Sequence, residues 1–197
     1  MTKFTLSRRT LLAAMSVSLA ARCFPAIAQT PRPSQWAVPL TLAGVPNFFQ
    51  VTPRIYRSAQ PTAAGFQGLA KMGIETVINL RRRVDDAPLA KGTDLTTLHI
   101  KITTRHITDD DGAAIVTALR NLRQAQRQGA VLVHCTHGAD RTGLIIALWR
   151  MLYQQWPRAE AIAELHHGGY GFHEVWVNIP AYLKQVDLTR LKDRVGE

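Results

Sequence analysis

The sequence predicts an α/β domain with a central mixed or parallel sheet of about four to five strands flanked by helices. Three observations carry this expectation. Strand-type runs alternate with helix-type runs, the pattern of βαβ units. Two of the strand-type runs, Ile74–Leu80 and Ala130–His134, are largely apolar, as strands covered on both faces are. Residues 134–143, His-Cys-Thr-His-Gly-Ala-Asp-Arg-Thr-Gly, pass from a strand through a tight loop to a helix start. That puts a polar loop at the carboxyl end of a strand, where open α/β sheets bind ligands. With 197 residues, 46% of them hydrophobic, the chain can build one domain with a full core.

The elements follow in order. Residues 29–36, with two prolines, read as a flexible lead. Val51–Ser58 reads as a strand with Pro53 near its start, and 59–62 turns into a helix at Ala63–Met72 that Gly73 ends. Ile74–Leu80 is a central strand. Arg81-Arg82-Arg83 and Asp85-Asp86 form a charged loop, and Leu95–Ile102 alternates as a strand. Asp111–Gln128 is an amphipathic helix, because Ile115, Leu119 and Leu122 fall on one face. After Ala130–His134 and its loop, a helix runs to Gln155. Pro157–His166 is a further helix with proline in its first turn. A glycine-rich loop at 168–171 and a final helix, Pro180–Leu191, complete the chain. The domain reading is therefore a leader over 1–28, an extended segment over 29–50 and the catalytic-type domain over 51–197.

The leader reading rests on three features. Lys3, Arg8 and Arg9 form a basic start, Leu11–Ala21 is moderately apolar, and Ala26-Ile27-Ala28 is a small-x-small cleavage site before Gln29. Ser7-Arg8-Arg9-Thr10-Leu11-Leu12 resembles a twin-arginine export motif, with general secretion as the alternative. The apolar run is too short for a comfortable membrane span. The expectation is an exported, periplasmic protein with no stable membrane anchor after cleavage. Loss of 1–28 removes four of the 24 basic residues and none of the 14 acidic ones, leaving a formal charge of about +6. That suits an anionic partner. The basic residues are scattered and no nucleic-acid motif accompanies them, so nucleic acid is not an expected partner. Cys23 leaves with the leader, so Cys135 would be the one remaining thiol of two.

The 134–143 loop carries chemistry. A loop at a helix N-terminus aims backbone N–H groups inward and favours an anion. The same field favours a cysteine in its nucleophilic thiolate form. Arg141 adds a planar fork of donors matched to phosphate oxygens. These residues resemble the signature of the cysteine-dependent protein tyrosine and dual-specificity phosphatases, His-Cys-x5-Arg-Ser/Thr-Gly, matched by His134, Cys135, Gly138, Arg141, Thr142 and Gly143. Tyr56–Pro61, Ile78–Arg81 and Gly168–His173 also look like segments of small bacterial members.

The resemblance implies a protein tyrosine phosphatase-like fold and a two-step reaction with no cofactor and no metal. Cys135 attacks phosphorus, and water hydrolyses the phosphocysteine. The amides of Thr136, His137, Gly138, Ala139, Asp140 and Arg141 bind the phosphate oxygens. Thr142 matches the hydroxyl that assists the departing thiolate, with helix capping as its plain structural reading. His134 matches the histidine that orients the loop. Phosphorylated proteins or small anionic phosphomonoesters are the expected substrates. If Arg81–Arg83 lies near the pocket, phosphoinositides or inositol phosphates become the alternative. A catalytically silent phospho-ligand binding protein is the alternative of another class.

The general acid stays open. Many relatives carry an aspartate about 30 residues before the cysteine, and here that neighbourhood is Thr103-Thr104-Arg105-His106. Asp140, inside the loop, leads the candidates, since some relatives carry an aspartate there. Asp109, Asp110 and Asp111 lie upstream, but Thr108-x-x-Asp111 resembles a helix capping box. His106 is the remaining candidate. Five histidines, including His137 and His173, show no metal-ligand spacing in the sequence. Oligomeric state is not readable from the chain.

Overall fold

The computed structural model describes residues 32–196, apart from the side chains of Asp109 and Asp110. The leader expected over 1–28 lies outside the described residues. Strands are β1 (Val38–Pro39), β2 (Phe49–Thr52), β3 (Ile55–Ser58), β4 (Ile74–Asn79), β5 (Thr96–His99) and β6 (Ala130–His134). Helices are α1 (Ala63–Lys71), α2 (Asp109–Gln128), α3 (Asp140–Tyr153), α4 (Arg158–His167), α5 (Asn178–Gln185) and α6 (Leu188–Val195), with a 3-10 turn at Thr104–His106. They form the α/β architecture expected, with a mixed sheet of six strands in the order β1-β2-β3-β6-β4-β5.

Two expectations change. The strand read over Val51–Ser58 is an antiparallel hairpin, with Pro53-Arg54 turning β2 into β3. Proline cannot donate to a ladder, so it falls at the turn. With β1 added, this hairpin raises the strand count to six. The single helix read over Pro180–Leu191 breaks into α5 and α6, because the Asp187 carboxylate caps a new helix by accepting from the Arg190 N–H at 3.0 Å.

The four parallel strands β3, β6, β4 and β5 place one active end. Ser58, His134, Asn79 and His99 stand side by side across the sheet at their last positions. The β3-to-β4 crossover runs through α1 and the β5-to-β6 crossover through α2. Leu132 packs with α1 residues Phe66 and Leu69, whereas Val131 and Val133 pack with α2 and α3. The crossovers therefore lie on opposite faces, and β6 occupies the switch point where a crevice opens.

Helix α3 is buried from Thr142 to Leu152. Such an all-round apolar helix belongs in a core, ringed by other helices. Each buried Leu or Ile there contributes about 1.5–3 kcal/mol. At Gly143 a Cβ would lie 2.3 Å from Leu165 Cδ1, so glycine is what lets α4 approach. Among the described residues, no helix is long and apolar enough to cross a membrane.

Candidate active site

β6 ends at His134 in the middle of the sheet, the loop occupies 135–139, and α3 starts at Asp140. Cys135 is buried at the base. Among the described residues, the amides of Thr136, His137, Gly138 and Ala139 donate to no protein oxygen. Together with the first-turn N–H groups of α3, they make an anion cradle. Gly138 takes φ 71°, and a Cβ there would meet the Ser58 carbonyl carbon and oxygen at 2.4 Å. Glycine is thus needed for both the left-handed turn and the close packing on β3.

Arg141 is half-buried. Its guanidinium donates to the Leu80 carbonyl at 3.4 Å and to Thr136 Oγ1 at 3.1 Å, while Nε has no partner. The Thr142 hydroxyl is buried and also unpartnered. The residue that caps α3 by position is Ala139, so Thr142 performs no capping. A buried hydroxyl left free is uncommon in folded proteins; here it lies one residue from the phosphate fork.

The His134 ring is fully buried. Its Nε2 donates to Asp86 Oδ2 at 2.6 Å, and its Nδ1 lies 3.1 Å from the Cys135 carbonyl oxygen. Asp86 also accepts from Gln60 Nε2 at 2.9 Å, and the Gln60 N–H donates to the Thr136 carbonyl at 3.2 Å. In the sequence Asp86 belonged only to a charged loop. No local pattern marks it, because its partner is 48 residues away.

Arg57 is a second support that sequence reasoning missed. It stands next to last in β3 beneath the loop, almost fully buried, and donates from Nη2 to the Gly138 carbonyl at 2.8 Å. Its guanidinium stacks 3.5 Å from the centroid of the Tyr170 ring. Burial pulls its pKa down; the charges of Tyr170, Glu164 and Cys135 pull the other way. Tyr170 donates to Glu164 Oε1 at 2.8 Å, and burial pushes its own hydroxyl up to about 12. Glu164 takes two hydrogen bonds from Arg150, both at 2.9 Å, and one from the Ala37 N–H at 2.8 Å. Burial alone would raise its pKa, but the Arg150 hydrogen bonds and charge outweigh it and hold the carboxyl below the ordinary range. Asn47, in a left-handed conformation, ties the His137 carbonyl at 2.7 Å to the Tyr170 carbonyl at 2.9 Å.

The acid candidates separate in space. Asp140 is buried at the loop's end and accepts from the His173 backbone N–H at 3.0 Å and from His173 Nδ1 at 3.0 Å on both oxygens. Asp111 instead faces α6, accepting from Arg190 at 3.1 Å, with Arg194 at 3.3 Å. The expected capping box is not formed: Thr108 makes no side-chain cap, Asp111 takes a left-handed φ of 54°, and its carboxylate is engaged with Arg190. Asp109 and Asp110 begin α2, and His106 sits exposed on the 3-10 turn. Among the described residues one group of donors could hold a metal: His137, Asp140 and His173 offer ligand atoms that all lie within 4.8 Å of one another. Sequence spacing concealed it, because His173 arrives from beyond α4.

Arg81 follows the end of β4. Its N–H donates to Asn79 Oδ1 at 2.8 Å and its guanidinium to Gln60 Oε1 at 2.7 Å, beside the Gln60 contact to Thr136. Arg82 and Arg83 are exposed.

The chain matches the family model described as "Tyrosine phosphatase family" over residues 44–171. It is similar to the dual specificity protein phosphatase TpbA of Pseudomonas aeruginosa, 32% identical over 146 residues, which are 74% of this chain and 65% of that protein. The chain thus spans just under two thirds of the length of these curated relatives. The crystal structure of P. aeruginosa TpbA superposes with TM-score 0.73 at 30% identity, covering 84% of this chain and 99% of that one. A second TpbA crystal structure, a cysteine-to-serine variant in complex with pTyr, gives 0.74 at 30% identity with the same coverage. The catalytic core of the PP-IP phosphatase Siw14 of Saccharomyces cerevisiae, at 20% identity and TM-score 0.63, covering 78% of this chain and 93% of that one, shares the fold.

Proposed function

The chain belongs to the tyrosine phosphatase family, and we propose that it hydrolyses phosphomonoesters through a phosphocysteine intermediate. The observation that carries this reading is the loop itself: a buried thiol, four uncommitted amides and the Arg141 fork converge at the switch point of the sheet. The amides and Arg141 bind and neutralise the phosphoryl oxygens. Cys135 Sγ attacks phosphorus as the bond to the leaving oxygen breaks. That oxygen takes a proton from Asp140, which shares it with His173 through the 3.0 Å contact. Water then attacks the phosphocysteine and returns its proton to the same pair. Thr142, with its hydroxyl uncommitted, donates to the thiolate as it leaves. Charge neutralisation comes from the protein's own cations, so the reaction calls for no metal.

The preferred substrates are phosphorylated proteins. The TpbA complex with pTyr supports this through a relative whose sequence is 30% identical. A second reading, inositol phosphates or phosphoinositides, has its own support: Arg81 sits beside the loop through Gln60, ahead of exposed Arg82 and Arg83. Residues 1–28 act as an export signal in this proposal, delivering the protein to the periplasm; the N-terminus of the cell-made protein should then be Gln29, and an intact Met1 would refute it.

The test is phosphate release from an aryl phosphate in chelator-treated buffer. Cys135→Ser must be inactive; activity in that variant would refute the mechanism, and phosphate binding without release in the native protein would make it a silent binder. Asp140→Asn should be slow on poor leaving groups and nearly normal on good ones. Arg81→Ala should raise KM for polyphosphorylated ligands if the second reading holds and leave phosphopeptide kinetics alone.

A further inference from the structure

We propose that His137, Asp140 and His173 form a binding site for a divalent transition metal of the zinc class at the rim of the phosphate loop. We further propose that metal held there withdraws Asp140 from proton transfer. The first half stands on geometry alone. The three donors come from three supports: the loop, the first residue of α3, and the segment that follows α4. Their ligand atoms all lie within 4.8 Å of one another. In a tetrahedral zinc site, with bonds near 2.1 Å, donors stand roughly 3.4 Å apart. Asp140 and His173 already meet that spacing at 3.0 Å. The His137 ring is exposed, and its centroid is 5.0 Å from that of His173, so closure needs a swing of about an ångström.

Two imidazoles and one carboxylate suit zinc, nickel or copper and do not suit magnesium or calcium, which seek oxygen ligands. The site is partly pre-oriented. Asp140 is buried, and the His173 backbone N–H holds Oδ1 at 3.0 Å. That bond survives when a metal replaces the proton on His173 Nδ1, and it becomes the outer support that fixes a carboxylate ligand. Three protein ligands leave a fourth position open, as in exchangeable rather than structural zinc sites. The Arg141 and Arg57 cations nearby oppose a metal ion, so affinity should fall below that of structural zinc sites.

The second half rests on the proposed phosphatase reaction. Asp140 bound to metal cannot carry the proton for the leaving group, and two rings drawn together narrow the entrance over Gly138. Metal would then act as a reversible inhibitor of an enzyme that needs none.

The experiment is a titration of the purified protein with zinc chloride, read by competition with a chromophoric chelator and, separately, by the visible spectrum of the cobalt-loaded protein. One equivalent should bind in the native protein and in Cys135→Ser. His173→Ala and His137→Ala should each weaken binding at least tenfold; the His137 side chain is exposed, so that variant also guards against misfolding of the other. Binding that disappears in Cys135→Ser but persists in both histidine variants would overturn the site in favour of the thiolate. No binding to native protein would overturn it outright. In parallel, phosphate release should fall at the zinc concentrations that fill the site and recover fully with chelator. Full activity at saturating zinc would overturn the inhibitory half alone, and absent activity in metal-free protein would instead indict the phosphatase reading.

Discussion

The carboxylate of Asp86 accepts a hydrogen bond from His134 Nε2 at 2.6 Å, between two side chains almost wholly withdrawn from water. Through it, the loop after β4 grips the end of β6 one residue before the nucleophile. A buried pair broken on one side leaves the other unpaired, at a cost of about 3–5 kcal/mol. Asp86→Asn keeps the shape but weakens the acceptor. We expect kcat to fall about tenfold to a hundredfold with KM little changed, since the fault lies in positioning. Steady-state kinetics beside a thermal melt checks this; a change in KM alone would contradict it.

Arg57 should separate stability from activity. Removing Arg57 relieves the desolvation of a buried charge but leaves the Gly138 carbonyl without its donor, at a cost of about 1–3 kcal/mol. Arg57→Met should therefore melt only a little below the native protein, while the loop loses its pedestal. We expect kcat/KM to drop at least tenfold. Arg57→Lys should not rescue it, since lysine cannot hold a planar contact with Tyr170 and the carbonyl together.

Gly138→Ala meets two obstacles at once, a left-handed φ of 71° and the backbone of Ser58 at 2.4 Å. Strain of this kind costs about 1–3 kcal/mol. The loop can relieve it only by moving, so catalysis should suffer far more than stability. Phosphate affinity measured by calorimetry should fall with it.

Glu164 gives the fold a dependence on acid. Its folded-state pKa lies below the ordinary carboxylate value of about 4.3. Its contribution is complete above that value and is lost as pH falls from there through the lower folded value. Denaturant unfolding at stepped pH should show Glu164→Gln clearly less stable than native protein at pH 7. The gap should begin to close as pH falls below the ordinary value of about 4.3, and should vanish only once pH passes the lower folded value, where the native carboxyl is itself neutral. A gap independent of pH would show that the ion pair is not its source.

What the sequence made legible was contiguous or periodic. The nucleophile loop is ten adjacent residues, and Ile115, Leu119 and Leu122 announced the buried face of α2 by their spacing. What it concealed depends on chain closure. Arg57 reaches Gly138 across 81 residues and His173 reaches Asp140 across 33; neither pair shares a pattern. The hairpin at Pro53-Arg54 hid because its turn lacks the glycine or asparagine that marks tight hairpins. The break before α6 was readable in principle, since Asp187 three residues ahead of Arg190 is an N-cap signal.

Asn47 has a consequence for what counts as the smallest working piece of this chain. Its amide joins the carbonyls of His137 and Tyr170, bringing together a residue ahead of β2, the phosphate loop and the turn after α4. A fragment begun at residue 51 would keep the nucleophile, the arginine fork and four parallel strands. It would lack a side chain that, alongside Arg57, ties the loop to the turn. The competent unit thus begins before the elements that bear the chemistry, and trimming from the front is a way to disable the protein while leaving its signature intact.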